Sequence, residues 1–384
     1  MPTAKNLTYL RAKNQGAVLR TLLMEENISK QEIAHRLHLT PMSISYIAGD
    51  LLEKGILQEN RTERIKKETP GRRGIALSVT PGRLLAVGVS VTRRHVCVSL
   101  VDLCGKTLNY KSHRHGESVT AASLTAQIIK DITEILHGVK RENVLGIGIS
   151  CSGLVDMQTK TIIFTTDFYD ISNWQIGKIL EEEFDLPCFA AEDMKAAALA
   201  EYYYGTAKKL SDFIYLGITY GLGAGVIAGG KLLEGNRGFC GEVGHTTLYH
   251  DGAPCGCGNR GCAEMYVSAG AIIRRAGVKD WPSFIALCEE DTQNAKTAEI
   301  RHDLSTLLVN IINSFDTEAV VIGHEGADLP QAFFTLLEKE VNSRILAKNV
   351  KNVEILPSRI PGEIHALNGA AICFFQLFAG YFRL

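Results

Sequence analysis

The chain lacks several features that would set it apart from ordinary folded proteins. It has no apolar run long enough to cross a bilayer. The longest near an end, Ala370 to Phe382, is interrupted by Gln376 and falls short of the ~20 residues a spanning helix needs. The opening MPTAKNLTYLRAKNQ has no apolar core of the kind an export signal carries. Proline is sparse, at 10 of 384 residues, and 46% of residues are hydrophobic against 22% charged, which argues against disordered, collagen-like and low-complexity chains. With no export signal, the ten cysteines read as reduced thiols or a metal site and not as a disulfide framework. The reading so far is a cytoplasmic protein of two or three domains with no membrane partner.

Charge of one sign is also missing in sum, the net being -1, but it is unevenly spread. Residues 1–75 carry 13 Lys+Arg against 8 Asp+Glu, and the remainder 28 against 34. A basic arm on an acidic body hints at nucleic-acid contact, and equally fits a solvated surface. Within the arm, Val18, Leu19, Leu22 and Leu23 give a helical stripe over Gln15–Glu25. Ser29-Lys30-Gln31-Glu32 has the form of a capping box, with Ile33, Ala34 and Leu37 behind it. Thr40-Pro41 opens a third helix that buries Ile44, Ile47 and Leu51 and shows Met42, Ser43, Ser45 and Tyr46 on its leading face. Two short helices joined by His38-Leu39 have the shape of a helix-turn-helix. The following GILQENRTERIKKETPGRRGIALSV reads as a strand, a basic hairpin and a returning strand, with Arg72 and Arg73 at the tip of a wing. Ser43, Ser45 and Tyr46 are then the candidates for base edges, and Arg72 and Arg73 for phosphate or minor groove. A three-helix packing module with a solvated basic loop is the competing reading.

From Leu84 the period changes. LLAVGVSV and HVCVSLVD form a strand–turn–strand, followed by a helical stretch around Ala121–Leu136 and the buried strand VLGIGIS. The second half opens in the same way, with FIYLGIT and GAGVIAGGKLL, and continues to AVVIG and VEILP. This duplicated α/β pattern suggests a two-lobed actin-like, ribonuclease-H-like body, a single doubly wound sheet being the alternative. Within the second half, PCGCGNRGCAE places Cys255, Cys257 and Cys262 in a glycine-rich loop, with His245 ten residues upstream of Cys255. Three thiolates and one imidazole suit one closed tetrahedral structural Zn²⁺ per chain; three reduced buried thiols are the plainer reading. The other seven cysteines (Cys97, Cys104, Cys151, Cys188, Cys240, Cys288, Cys373) read as small core residues.

From residue 14 to about 375 the chain resembles the ROK family of repressors and sugar kinases. The passages that carry the likeness are GLGAGVIAGGKLLEGNRGFCGEVGH, CGCGNRGCAE and the NGAA of a C-terminal helix. The resemblance implies an actin-like body with a sugar cleft between its lobes and the His-Cys-Cys-Cys zinc site beside it. It further implies that Glu242 and His245 of Glu-Val-Gly-His, together with Glu264, contact sugar hydroxyls, and that Asp193 holds the place of the kinase's general base. Glu192 stands where the family has Asn, so an amide that donates and accepts becomes a carboxylate that, when ionised, only accepts. The family's Pro-Gly-x-Val-Asp appears as Ser152-Gly153-Leu154-Val155-Asp156, which puts Gly153 at the ligand edge. Of the nucleotide elements, Thr219-Tyr220-Gly221-Leu222-Gly223-Ala224-Gly225 survives. The Asp-x-Gly-Gly-Thr-Lys loop reads Ser90-Val91-Thr92-Arg93-Arg94-His95, and the adenosine-site loop is reduced to Gly323-His324-Glu325-Gly326. Loss of the Asp removes a Mg²⁺ ligand, and the Arg side chains crowd a phosphate, so kinase activity is expected to be lost.

These expectations add up to a winged helix-turn-helix at 1–79, a small lobe at 80–190 closed by a C-terminal helix at 365–384, and a large lobe with the zinc site at 191–364. The implied function is a sugar-responsive regulator, a repressor of carbohydrate-utilisation genes, that binds a palindromic double-stranded operator as a homodimer or dimer of dimers. The alternative is an ATP-dependent sugar kinase with an added DNA-binding domain.

Overall fold

The computed structural model of the chain describes residues 7–25, 27–60, 75–116, 119–165, 169, 171–291, 294–360 and 364–384. Its N-terminal module begins with α1 (Leu7–Met24), eight residues before the apolar stripe that marks it in the sequence, and runs through β1 (Ile28–Ser29), α2 (Lys30–Leu37), α3 (Pro41–Glu53), β2 (Leu57–Asn60) and β3 (Ala76–Val79). Local chemistry sets the boundaries. The Ser29 side chain accepts from the Glu32 N–H while Glu32 accepts from the Ser29 N–H, and Thr40 caps α3 through the Ser43 N–H. His38 takes a left-handed conformation (φ 52) to turn the chain between α2 and α3. The three strands pair in the order β1-β3-β2, antiparallel throughout. Asp50 of α3 ties the helices together, accepting from Arg11 and Gln15 of α1 at 2.9 Å each and pairing with Lys54 at 2.9 Å.

Next come β4 (Leu85–Val91), β5 (His95–Asp102), β6 (Thr107–Arg114), α4 (Ala121–Leu136), β7 (Val144–Cys151), β8 (Gly153–Asp156), β9 (Thr161–Thr165), β10 (Ser172–Trp174), α5 (Ile176–Phe184) and β11 (Cys188–Glu192). The main sheet has the order β11-β7-β4-β5-β6, with β11, β7 and β4 parallel and β5 and β6 antiparallel. β4 and β7 are buried along their whole length, as continuous Val/Ile/Leu runs require when both faces of a sheet are covered. A small second sheet, β10-β9-β8, has no counterpart in the sequence reading.

The second sheet-and-helix layer comprises α6 (Asp193–Tyr204), β12 (Phe213–Ile218), β13 (Leu222–Ala228), β14 (Lys231–Leu232), α7 (Glu264–Val267), α8 (Ala269–Ala276), α9 (Trp281–Glu290), α10 (Ala295–Phe315), β15 (Ala319–His324), α11 (Gln331–Arg344) and β16 (Glu354–Pro357). Its sheet runs β14-β13-β12-β15-β16: again an antiparallel hairpin, β12-β13, with a parallel strand, β15, beside its first arm. The last helix, α12 (Ile364–Ala379), belongs to the first sheet. The chain thus forms two units, residues 1–193 with 363–384, and residues 194–362.

In the first unit, α12 lies against β4 and β7 at backbone contact. A Cβ on Gly148 would stand 1.8 Å from the Gly369 carbonyl oxygen, and one on Gly88 2.9 Å from the Ala370 nitrogen. Further along α12, a Cβ on Gly16 of α1 would stand 2.4 Å from the Leu377 carbonyl oxygen. One helix therefore touches both the main sheet and the N-terminal module. Among the described residues no helix is long and apolar enough to cross a membrane. Cys97, Cys151, Cys188, Cys288 and Cys373 are buried as expected, whereas Cys104 is exposed and Cys240 only partly covered: Cys104 sits in a surface turn after β5 and Cys240 in the loop after β14.

Candidate metal centre and ligand positions

In the second unit, residues 245–262 fold into a knuckle whose backbone is shaped by turns and glycines. Cys255 N–H donates to the Asn259 carbonyl (2.9 Å), Gly258 N–H to the Cys255 carbonyl (3.0 Å), and the Asn259 amide to the Thr247 hydroxyl (3.1 Å). Gly261 is required: its φ is +68, and a Cβ there would lie 1.7 Å from the Tyr249 carbonyl oxygen. The four donor atoms of His245, Cys255, Cys257 and Cys262 all fall within 4.8 Å of one another. Cys257 Sγ lies 3.7 Å from Cys262 Sγ, and Cys255 Sγ lies 3.7 Å from His245 Nδ1. A tetrahedral ion with metal–sulfur bonds of about 2.3 Å needs sulfur–sulfur edges of about 3.8 Å. The donor set could hold a metal ion. Burial pushes the Cys262 thiol up to about 12 and raises Cys255, while the Asn259 N–H holds Cys257 below its ordinary value, so a metal must displace protons to bind.

The knuckle is braced from behind by residues that the sequence reading did not single out. Tyr249 donates its hydroxyl to Asp303 of α10, and Arg275 of α8 pairs with the same carboxylate at 2.7 Å and with Glu299 at 2.7 Å. The Tyr266 hydroxyl accepts from the Ala253 N–H at 2.9 Å. These contacts span up to 54 residues of sequence, and no local motif marks them.

Three of the expected sugar contacts also lie in this unit. Gly244 lies so close to β13 that a Cβ would stand 2.0 Å from the Leu222 carbonyl oxygen, which pins Glu242-Val243-Gly244-His245 beside the strand. His245 turns Nδ1 toward the sulfurs, leaving Nε2 as its other polar atom. Glu264 opens α7 immediately after the knuckle, and its Oε2 accepts from the Leu222 N–H at 3.0 Å. The glycine loop at the β12–β13 turn is therefore linked to the knuckle through Glu264. Thr219 shapes the same turn, its hydroxyl accepting from the Gly221 N–H at 3.0 Å.

The other expected ligand residues lie in the first unit. The β7–β11 pairing sets Cys151 beside Glu192, so the residues following each strand, Ser152 and Asp193, come together. Ser152 donates its hydroxyl to Asp193 Oδ2, and its N–H donates to the Val91 carbonyl at 2.9 Å. Gly153 has φ +147, and a Cβ there would stand 2.3 Å from the Phe164 carbonyl oxygen. Burial, then Asp193 and Glu192, push the neighbouring Cys151 thiol well up, which keeps it neutral.

The first phosphate-loop position is a tight hairpin. Thr92 accepts through its hydroxyl from the His95 N–H (3.1 Å), and its carbonyl meets His115 Nε2 at 2.9 Å, while Ser90 Oγ is buried inside the strand end without a hydrogen-bond partner among the described residues. At the adenosine-site position the Tyr215 ring fills the space above Gly323, where a Cβ would stand 1.9 Å from its hydroxyl, and His324 adopts φ 55.

On α3, Met42, Ser45 and Tyr46 are exposed, with the Arg11 guanidinium 5.2 Å from the centre of the Tyr46 ring. Ser43 is half-buried and committed to the helix cap, its Oγ 2.8 Å from Thr40 Oγ1, because the second residue after a proline start faces the cap. Arg72 and Arg73 lie outside the described residues.

Fold and site together define a duplicated α/β protein of actin-like, kinase-type architecture carrying a Cys₃His knuckle. The chain belongs to the ROK family, which its residues 86–376 match. A xylose repressor of Caldicellulosiruptor bescii is 28% identical over 385 residues, covering 92% of this chain and 94% of its own. The DNA-binding transcriptional dual regulator NagC of Escherichia coli K12 is 26% identical over 373 residues, covering 92% and 91%. A solved ROK family transcriptional regulator, described as a homolog of the E. coli MLC protein, has a TM-score of 0.79 over 97% of this chain and 98% of its own, at 22% identity.

Proposed function

We propose that this protein is a sugar-responsive transcriptional repressor of carbohydrate-utilisation genes. The observation that carries the reading is full-length likeness to repressors, N-terminal module included: the xylose repressor and NagC each cover at least 92% of the chain. The module acts as a winged helix-turn-helix, with α3 in the major groove presenting Ser45 and Tyr46 to base edges and Arg72 and Arg73 reaching the backbone. A homodimer reads a palindromic operator. Glu242, His245 and Glu264, together with Gly153, Glu192 and Asp193, meet the hydroxyls of the sugar. One structural Zn²⁺ held by His245, Cys255, Cys257 and Cys262 supplies charge and rigidity to the loop that orients His245 and Glu264. Repression is relieved because the sugar binds the DNA-incompetent state more tightly than the competent one.

Kinase chemistry is absent in this reading: the Thr92–Arg94 hairpin offers neither the metal-binding carboxylate nor the glycines of a phosphate loop, and the adenosine-site loop is reduced to Gly323-His324-Glu325-Gly326. A kinase with an added DNA-binding domain is the second reading, favoured by the retained Asp193 and the intact Gly221–Gly225 loop. Fluorescence anisotropy on the DNA upstream of the protein's own gene, with and without pentoses, hexoses, amino sugars and their phosphates, tests the first. Tight binding released by one sugar is the expected result. A parallel assay of phosphate transfer from ATP that is abolished by Asp193→Asn supports the second.

A further inference from the structure

Ser152 occupies a position whose chemistry the sugar-contact reading does not use. It follows β7, outside the strand, and two hydrogen bonds fix it: its N–H to the Val91 carbonyl at the end of β4, and its hydroxyl to Asp193 Oδ2. Behind it, Gly153 has φ +147, and a Cβ there would stand 2.3 Å from the Phe164 carbonyl oxygen, so only glycine fits. A proline, the residue of the family pattern here, has neither the N–H nor the hydroxyl and can make neither bond.

The consequence falls on Asp193. A carboxylate at the first residue of a helix can rotate about its own side chain, and a general base must keep an oxygen ready to take a proton. A hydroxyl donating to Oδ2 holds the carboxylate plane and presents it as an acceptor in one direction. Glu192, one residue earlier, adds a second carboxylate to the same strand end.

We propose that Ser152 is a specificity-determining residue of the sugar site, one that fixes the Asp193 carboxylate as a rigid acceptor for a single ligand hydroxyl and so turns a base position into a recognition position. The proposal rests on the reading of Asp193 as a sugar contact. It assigns Ser152 a positioning role: it acts on the ligand through Asp193.

The test uses the full-length protein, with calorimetry and thermal stabilisation as readouts. D-xylose, D-glucose and N-acetyl-D-glucosamine are the probes, each with its monodeoxy analogues. Wild type is expected to lose affinity for the analogue lacking the hydroxyl that faces Asp193. Ser152→Ala should weaken the parent sugar by about tenfold, the low end for a hydrogen bond to a charged group. It should also abolish most of the discrimination against that analogue, whereas Ser152→Thr, which keeps the hydroxyl, should retain both. Unchanged binding of operator DNA without sugar shows that the variants are folded. Equal affinity and equal discrimination in wild type and Ser152→Ala overturn the role of Ser152 while leaving sugar sensing intact. If wild type binds none of these sugars or analogues, sugar contact at Asp193 fails and the proposal falls with it.

Discussion

The two sheets present the same architectural element in two different states. In each, a hairpin opens the sheet and a parallel strand lies beside its first arm: β4-β5 with β7, and β12-β13 with β15. At the second hairpin the tip is Tyr220-Gly221, its Gly221 N–H donating to the Thr219 hydroxyl and the Leu222 N–H behind it donating to Glu264. At the first the tip is Arg93-Arg94, closed on itself by the Thr92 hydroxyl and the start of β5. The glycines of the first sheet lie deeper, at Gly88 and Gly148, where the α12 backbone rests on the strands, and α12 in turn carries α1. In the second unit Gly261 shapes the Cys₃His knuckle and Gly244 seats residues 242–245 on β13. In the first, glycine serves the seating of the helix that joins the sheet to the N-terminal module. A duplicated fold has thus diverged by where it lets backbones approach.

The largest expected effect breaks the second unit alone. Cys262→Ser, or a chelator at neutral pH, should empty the knuckle and destabilise the protein by more than about 4 kcal/mol, the range reached when a structural metal is lost. Elemental analysis of purified protein should fall from one zinc per chain to none. Cys104→Ser, at an exposed thiol, should change neither metal content nor the unfolding midpoint.

A glycine pair measures the contrast between the two sheets directly. A Cβ on Gly148 meets a helix carbonyl at 1.8 Å, whereas one on Gly217 of β12 meets the sulfur of Met194 at 2.0 Å. A methionine side chain can swing aside and a backbone cannot. Gly148→Ala should therefore cost about 3 kcal/mol in urea unfolding and Gly217→Ala about 1 kcal/mol. Equal costs would show that α12 yields as readily as a side chain.

Tyr249→Phe comes next in size. It removes the donor to buried Asp303 while leaving Arg275 in place, for a loss of about 1 kcal/mol. The hydrogen bond to Asp303, then burial, push the Tyr249 phenol up to about 12 from 10.0. Because the folded value lies above the unfolded one, this contribution is fully present below pH 10 and disappears as pH rises through about 12. Wild type should lose stability across that alkaline window more steeply than the Phe variant.

How much of this was legible in the sequence follows from how local each feature is. The Cys₃His cluster was legible because Cys255, Cys257 and Cys262 lie within eight residues and glycine spacing announces the turns between them. The caps at Ser29 and Thr40 were legible for the same reason. The Ser152–Asp193 bond was not, because 41 residues separate its partners and only the β7–β11 register joins them. Nor was the brace of Tyr249, Asp303 and Arg275, which depends on how α8 and α10 pack behind the knuckle. Helical phase puts Ser43 on the outer face of α3, where it stays partly exposed while its hydroxyl also bonds to the Thr40 cap. The polar start of α1, residues 7–14, carries no apolar stripe; there Ala12 is buried and Arg11 reaches Asp50.

The smallest effect isolates the N-terminal module from both sheets. Asp50 gathers Arg11, Gln15 and Lys54, and so holds α1 against the end of α3. Burial works to raise its pKa, but hydrogen bonds from Lys54 and Arg11 outweigh it and leave the carboxyl below its usual 3.8. With the folded value below the unfolded one, the stabilisation is present above about pH 4 and is lost as pH falls through the folded value. Asp50→Asn should therefore cost about 0.5–1 kcal/mol at neutral pH, the range of a partly exposed ion pair, and nothing near pH 2. Because α1 also carries the contact to α12 at Gly16, the same variant should weaken operator binding while leaving zinc content and sugar affinity at wild-type values. A change in sugar affinity would mean that the module and the ligand positions are coupled through α1 even without DNA.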